Sequence, residues 1–110
     1  MQREGEIFKA LSDETRLRIV NLLQQGTLCV CEIVDSLGLP QYQVSRHLTI
    51  LKFAGLVDFE RKGTRIHYFL RKDDRTLAPL FQFLKRFLRS AKRRRTAAGS
   101  ATVAWNRRPA

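Results

Sequence analysis

Apolar positions recur at helical spacing through the first half of the chain and then change to alternation. Within residues 1–26, Ile7, Phe8 and Leu11 form one stripe. Leu17, Val20 and Leu23, with Ile19 and Leu22 beside them, form the next, so two helices are predicted. Ser12 or Asp13 is placed to cap the second of these, and Gly26 to stop it. Thr27 predicts the cap of a third helix through LCVCEIVDSL, ending at Gly38. After GLP, a fourth helix fits QYQVSRHLTILKFA. Pro40 sits where a first turn tolerates it, Gly55 closes the helix, and Val44, Leu48 and Leu51 make the buried stripe. Two short helices joined by a turn of about four residues containing Gly make a helix-turn-helix pattern.

The period then falls to two. Val57 and Phe59, then Ile66, Tyr68 and Leu70, mark two strands about the turn RKGTR, a β-hairpin with Arg61, Lys62 and Arg65 at its tip. A helix-turn-helix followed at once by a basic hairpin is a winged-helix arrangement, mainly α with one β-hairpin. A last, long helix fits LAPLFQFLKRFLRSAKRR, starting near Thr76 with Pro79 in its first turn and a wide stripe of Leu77, Leu80, Phe81, Leu84, Phe87 and Leu88. Such a stripe is costly to expose, which makes the helix a dimerisation element; the competing expectation is that it folds back on its own domain. From about Thr96 no period is visible. Residues 1–95 are expected to form one DNA-binding and dimerisation domain, and 96–110 a flexible basic tail.

Composition narrows this further. The chain of 110 residues, 44% of them hydrophobic, suffices for one packed domain. No apolar run approaches the ~20 residues that span a bilayer. The opening MQREGEIFKALSDE has no apolar stretch behind a basic start, so a cytoplasmic protein with reduced thiols is expected, and no membrane partner. The 21 Lys and Arg against 10 acids, a formal net charge of +11, are unevenly spread. Residues 1–84 carry 12 basic and ten acidic side chains, whereas residues 85–110 carry nine basic and none acidic. That basic end attracts any polyanion, so the case for DNA rests on the body of the chain.

On the fourth helix Gln41, Gln43, Ser45, Arg46, Thr49 and Lys52 fall largely off the apolar stripe and are residue types that bond phosphates and base edges. With the hairpin residues Arg61, Lys62, Thr64 and Arg65 they form the expected surface for double-stranded operator DNA. His47, beside Arg46, reads as a DNA or helix-packing contact, and His67 as a strand surface residue near the phosphates. Asp, Glu and Ser form no nucleophile-and-base pattern and no glycine-rich phosphate loop is present, so no enzyme is expected.

The remaining chemistry lies in Cys29 and Cys31, the only two cysteines. Placed on one helix, residues i and i+2 stand about 200° apart, so one ion bridging both sulfurs would have to unwind or tilt that turn. A helix N-terminus also favours thiolate. Either cysteine could instead be a small buried hydrophobe.

Taken together, LSDETRLRIVNLL, CVCEIVDSLGLPQYQVSRHLTILKFAGLV and RKGTRIHYFL resemble the ArsR/SmtB family, dimeric winged-helix repressors of bacterial metal and metalloid resistance, over residues 7–88. The resemblance implies a homodimer that binds operator DNA and leaves it when an inducer binds. The family's zinc site on the last helix would need a histidine after Asp73 and Asp74, and none follows. Its cadmium and lead branch adds N-terminal cysteines, and this chain opens without them. The arsenic branch shares CVC, often with a third cysteine three residues later, where Val34 stands here. The resemblance therefore implies a repressor of an arsenic-resistance operon, with Cys29 and Cys31 as ligands and trivalent arsenic, as arsenite or methylarsenite, or else antimonite, as inducer. A methylated arsenical, which needs only two thiolates, is expected to bind at least as well as arsenite. The rival expectations are a sensor of another thiophilic ion or of sulfur redox state, and a constitutive DNA-binding protein.

Overall fold

The computed structural model describes residues 1–98. Helices α1 (Gln2–Leu11) and α2 (Glu14–Leu23) lead into a two-residue strand β1 (Leu28–Cys29). Helices α3 (Val30–Leu37) and α4 (Gln41–Phe53) follow, then strands β2 (Val57–Lys62) and β3 (Arg65–Leu70), and the long helix α5 (Ala78–Ala98). The boundary expected near residue 95 falls inside α5, and residues 99–110 of the expected tail lie outside the described residues.

Local chemistry sets each break. Asp13 is the N-cap of α2: extended at φ −103°, it accepts the Arg16 N–H at 3.1 Å, while Ser12 donates to the Lys9 carbonyl at 2.7 Å and closes α1. Gly38 ends α3 with φ 67°, a left-handed conformation that a side chain would oppose. Gly63 turns the hairpin with φ 63°, at the first of its two loop residues. Asp74 receives the Thr76 and Leu77 N–H groups at 2.9 and 3.3 Å ahead of α5, and its other oxygen meets Arg3 Nη2 of α1 at 2.6 Å.

The core forms where the apolar stripes meet. Ile19, Val20 and Leu23 of α2, Ile33 of α3, Val44, Leu48 and Leu51 of α4, then Leu56, Val57, Leu70, Leu77 and Phe81 exclude water almost completely. The sheet has three strands, all antiparallel, in the order β1-β3-β2. Gln24 is the single buried polar side chain among the described residues; its Nε2 donates to the Phe81 carbonyl at 2.8 Å and ties α5 to the end of α2.

Several expectations change. The third helix starts two residues later than Thr27 predicts, because Leu28 and Cys29 pair with Tyr68 and His67 in the sheet. Phe8 is exposed; Ala10 takes the buried place with Ile7 and Leu11, since successive helical residues diverge by about 100°. The apolar stripe of α5 is divided. Leu77, Phe81 and Leu84 enter the chain's own core, while Phe83 and Phe87 stack at 5.4 Å between ring centroids and remain exposed. Among the described residues no helix is long and apolar enough to cross a membrane.

Replacing Gln24 by Glu removes the donor that Phe81 receives and buries a carboxylate against a carbonyl. We expect Gln24→Glu to lose about 1–3 kcal/mol of stability at neutral pH. The protonated acid can donate again, so the deficit against wild type should shrink as pH is lowered into the carboxylate range. Urea denaturation of both proteins at two pH values checks this.

Candidate nucleic-acid interface and thiol site

The α3–α4 pair is built so that one face of α4 must look outward. Pro40, extended at φ −59° and ψ 148°, is the N-cap of α4, and its carbonyl accepts from Gln43 and Val44 at 3.1 and 3.2 Å. With Val44, Leu48 and Leu51 facing the core, the roughly 100° step per residue sends Tyr42, Arg46, Thr49 and Phe53 to the opposite side, where all four are exposed. Ser45 flanks that stripe on one side and Gln43 on the other; both are half-buried, whereas Gln41 is exposed at the first turn. Arg46 forms no ion pair among the described residues, so its guanidinium is available. Thr49 Oγ1 donates to the Ser45 carbonyl at 2.9 Å.

Lys52 serves the helix–hairpin junction: its Nζ lies 3.9 Å from Asp58 Oδ1 and 5.5 Å from the centroid of the Phe59 ring. Arg61, Lys62, Thr64 and Arg65 are exposed around the hairpin tip. The outer face of α4 and the hairpin tip thus each present exposed polar and basic side chains. His47 is set differently. It projects from the flank of α4 toward α2, its Nδ1 3.2 Å from Arg16 Nη1 and 3.9 Å from Asp13 Oδ2. Tyr42 and Phe53 escaped the sequence reading; their signal was an aromatic opposite the apolar stripe, which propensity alone assigns to a core.

The thiols sit one layer behind. Cys29 is the last residue of β1 and the N-cap of α3, with extended backbone at φ −77° and ψ 159°, so the expected 200° separation on a helix does not apply. Only Cys31 is helical, and its side chain is near enough to Cys29 to raise the Cys29 thiol pKa. Cys29 is 2% exposed whereas Cys31 faces solvent, and neither is in a disulfide. A reciprocal pair of bonds closes the helix end: Cys29 N–H donates to Glu32 Oε1 at 2.9 Å, and the Glu32 N–H is directed at the Cys29 sulfur.

Electrostatics here run against the sequence expectation. The neighbouring Cys31 side chain and then burial push the Cys29 thiol above its ordinary range; the Glu32 N–H, the helix-end effect, lowers it but does not prevail. Glu32 is held below the usual carboxylate range by the Cys29 N–H and side chain, helped by the charges of His67 and Arg65. His67 is half-buried rather than a surface residue, lies between Cys29 and Glu60 across the sheet, and has a buried Nδ1 without a hydrogen-bond partner. Among the described residues no three His, Cys, Asp or Glu side chains are grouped to hold a metal ion, so the chain offers two sulfurs and no converging third donor. Asp73 and Asp74 are engaged by Arg71 and Arg3, with Arg71 bidentate on Asp73 at 3.0 and 3.1 Å.

Fold and surface together define a winged helix-turn-helix DNA-binding protein, and comparison with known proteins identifies the family. The sequence model of the family described as "Bacterial regulatory protein, arsR family" matches residues 13–58. The chain is 48% identical over 73 residues, covering 66% of this chain and 82% of the other, to an uncharacterized HTH-type transcriptional regulator of Methanocaldococcus jannaschii. It is 46% identical over 64 residues, 57% of this chain, to the arsenical resistance operon repressor of Escherichia coli K12, and spans 55% of that relative's length. Among solved structures, the homodimeric winged helix-turn-helix DNA-binding domain of a possible ArsR-family transcriptional regulator from Mycobacterium bovis superposes with a TM-score of 0.71. It is 32% identical, with 82% of each chain covered. The chain belongs to the ArsR family: it is a DNA-binding transcriptional regulator and not an enzyme.

The unequal exposure of the thiols has a direct chemical readout. Under native conditions iodoacetamide should modify Cys31 rapidly and Cys29 more than roughly tenfold more slowly, because a buried thiol waits on local opening. Its raised pKa means that Cys29 should gain reactivity only above the ordinary thiol range. Peptide mapping of a labelling time course over pH 7–10 reads both, and equal rates would contradict this arrangement.

Proposed function

We propose that this protein represses an arsenic-resistance operon and leaves its operator when trivalent arsenic binds Cys29 and Cys31. The observation that carries the reading is the pair of cysteines at the start of α3, one of them its N-cap and also a residue of the sheet. Trivalent arsenic is soft and thiophilic, and a donor set of two sulfurs fits an arsenical that brings its own third substituent, so methylarsenite should serve at least as well as arsenite. Binding displaces the proton that the Cys29 thiol holds. It would pull on α3, which packs on α4, and on β3 through the Cys29–His67 pairing. Reading helix and wing would move together.

On the DNA side, α4 would lie in the major groove with Gln41, Gln43, Ser45, Arg46 and Thr49 toward base edges, Tyr42 beside them, and Arg61, Lys62, Thr64 and Arg65 on the backbone or minor groove. Lys52 would act through its hold on the hairpin, and His47 from the α2 side. The exposed Phe83–Phe87 pair on α5 and Phe8 on α1 supply apolar surface for a second copy, in keeping with the homodimeric neighbour. A two-fold dimer implies a pseudo-palindromic operator with half-sites about one helical turn apart.

Gel shifts with the selected operator test this. Cys29→Ser and Cys31→Ser should still bind it and no longer release it with arsenite or methylarsenite. Release by cadmium, lead or an oxidant alone would reassign the inducer, and a wild type that no thiophile dislodges would overturn the sensing reading. Separately, Arg46→Ala should cost about 1–3 kcal/mol and relax sequence preference. An equal loss on every sequence would make Arg46 a phosphate contact.

A further inference from the structure

Arg16 holds three elements at one point. Its Nε donates to the Ala10 carbonyl at 2.6 Å near the end of α1, and its backbone N–H bonds the Asp13 carboxylate at the start of α2. On the other side of the guanidinium, Nη1 lies 3.2 Å from His47 Nδ1, midway along α4. A guanidinium only donates, so this contact requires a neutral imidazole with Nδ1 as acceptor and its proton on Nε2. The His47 side chain is 15% exposed, although its neighbour Arg46 points into solvent.

We propose that His47, held by Arg16, is a positioning residue for operator reading, setting the rotation of α4 about its own axis and so the placement of Arg46, Thr49 and Tyr42 at base edges. This rests on the reading of α4 as the major-groove helix. The Val44, Leu48 and Leu51 stripe buries α4 strongly, but apolar packing has no direction. The Arg16–His47 bond is directional and joins α4 to α2. Phosphate contacts tolerate a small rotation of the helix, whereas bidentate base contacts do not. Losing the bond should therefore lower discrimination between sequences more than overall affinity.

Protonation of His47 would break the contact, since Nδ1 would become a donor facing a donor. The groups around it are Asp13 and Arg16 from α2 and Arg46 from α4. α1 contributes the Ala10 carbonyl, and its Glu6 and Lys9 line the adjoining groove beside Arg16. Burial lowers the imidazole pKa, Asp13 opposes this, and Arg16 and Arg46 lower it further. The folded group thus titrates below its ordinary 6.5; the contact is complete above that pH and is lost progressively as pH falls beneath it. DNA phosphates favour the cation, so acid should weaken specific binding while leaving non-specific binding intact or stronger.

The test is fluorescence anisotropy of the full chain with an operator selected from random duplexes and with a scrambled duplex of equal length. Both are measured at fixed salt at pH 7.5 and 5.5, with thermal melts alongside. The wild-type specific-to-scrambled affinity ratio should fall on acidification toward a limit of about tenfold, the worth of one hydrogen bond to a charged group. His47→Leu should show the lowered ratio at both pH values. His47→Asn, whose Oδ1 can take the place of Nδ1 without titrating, should keep the neutral-pH ratio and remain flat. A ratio that is unchanged in His47→Leu, whatever its melting temperature, overturns the proposal and leaves His47 a packing residue. A pH response that survives in His47→Asn overturns it as well. A wild type with no sequence preference on any duplex would refute operator reading itself, and this inference with it.

Discussion

The burial of Val44, Leu48 and Leu51 is the constraint from which the DNA-facing surface follows. Each contributes on the order of 1.5–3 kcal/mol by leaving water, and three such residues at i, i+4 and i+7 leave the helix one orientation. Once they face α2 and α3, Arg46, Thr49, Tyr42 and Phe53 have nowhere to go but outward. Arg46 on this outer face is exposed and needs no partner inside the protein, and that is why its guanidinium is available.

A second constraint is the position of Cys29. It ends β1, caps α3, and stands opposite His67 in the central strand of the sheet. The peptide units on either side of this residue therefore belong to two different hydrogen-bonding systems. A change in what its sulfur binds would reach the recognition helix through α3 and the wing through β3 without a long chain of intermediates. Glu32 holds the arrangement in register, accepting from the Cys29 backbone while its own N–H is directed at the sulfur. The neighbouring Cys31 side chain and burial keep the thiol protonated, and the Glu32 carboxylate adds to them.

Most of the fold was legible in the chain because it rests on short-range periodicity. The α4 stripe, the Asp13 cap, the glycine stops and the alternation around Gly63 are all local patterns, and all were read from residues a few positions apart. The errors were of another kind. Thr27 is a good capping residue, yet Leu28 and Cys29 leave the helix because β3 offers them backbone partners some forty residues away in sequence. Phe8 and Phe87 look like stripe members by hydrophobicity, but neighbouring elements provide no room for them. The basic residues of the candidate site were legible as residue types; that His47 turns to Arg16 and that Lys52 turns to Asp58 and Phe59 was not, because each partner comes from a different element.

Sequence alone thus determined the order of helices and strands, the apolar faces, the basic wing and the presence of two thiols, since each depends on spacing along one segment. Only the tertiary structure decided where those thiols sit. Helical geometry by itself would hold Cys29 and Cys31 apart on one helix, whereas pairing of β1 with β3 draws Cys29 into extended backbone and buries it, leaving Cys31 helical and exposed. The physical reason is that backbone groups must find hydrogen-bond partners wherever they are buried, and for this residue the partners lie in the sheet and not in the helix.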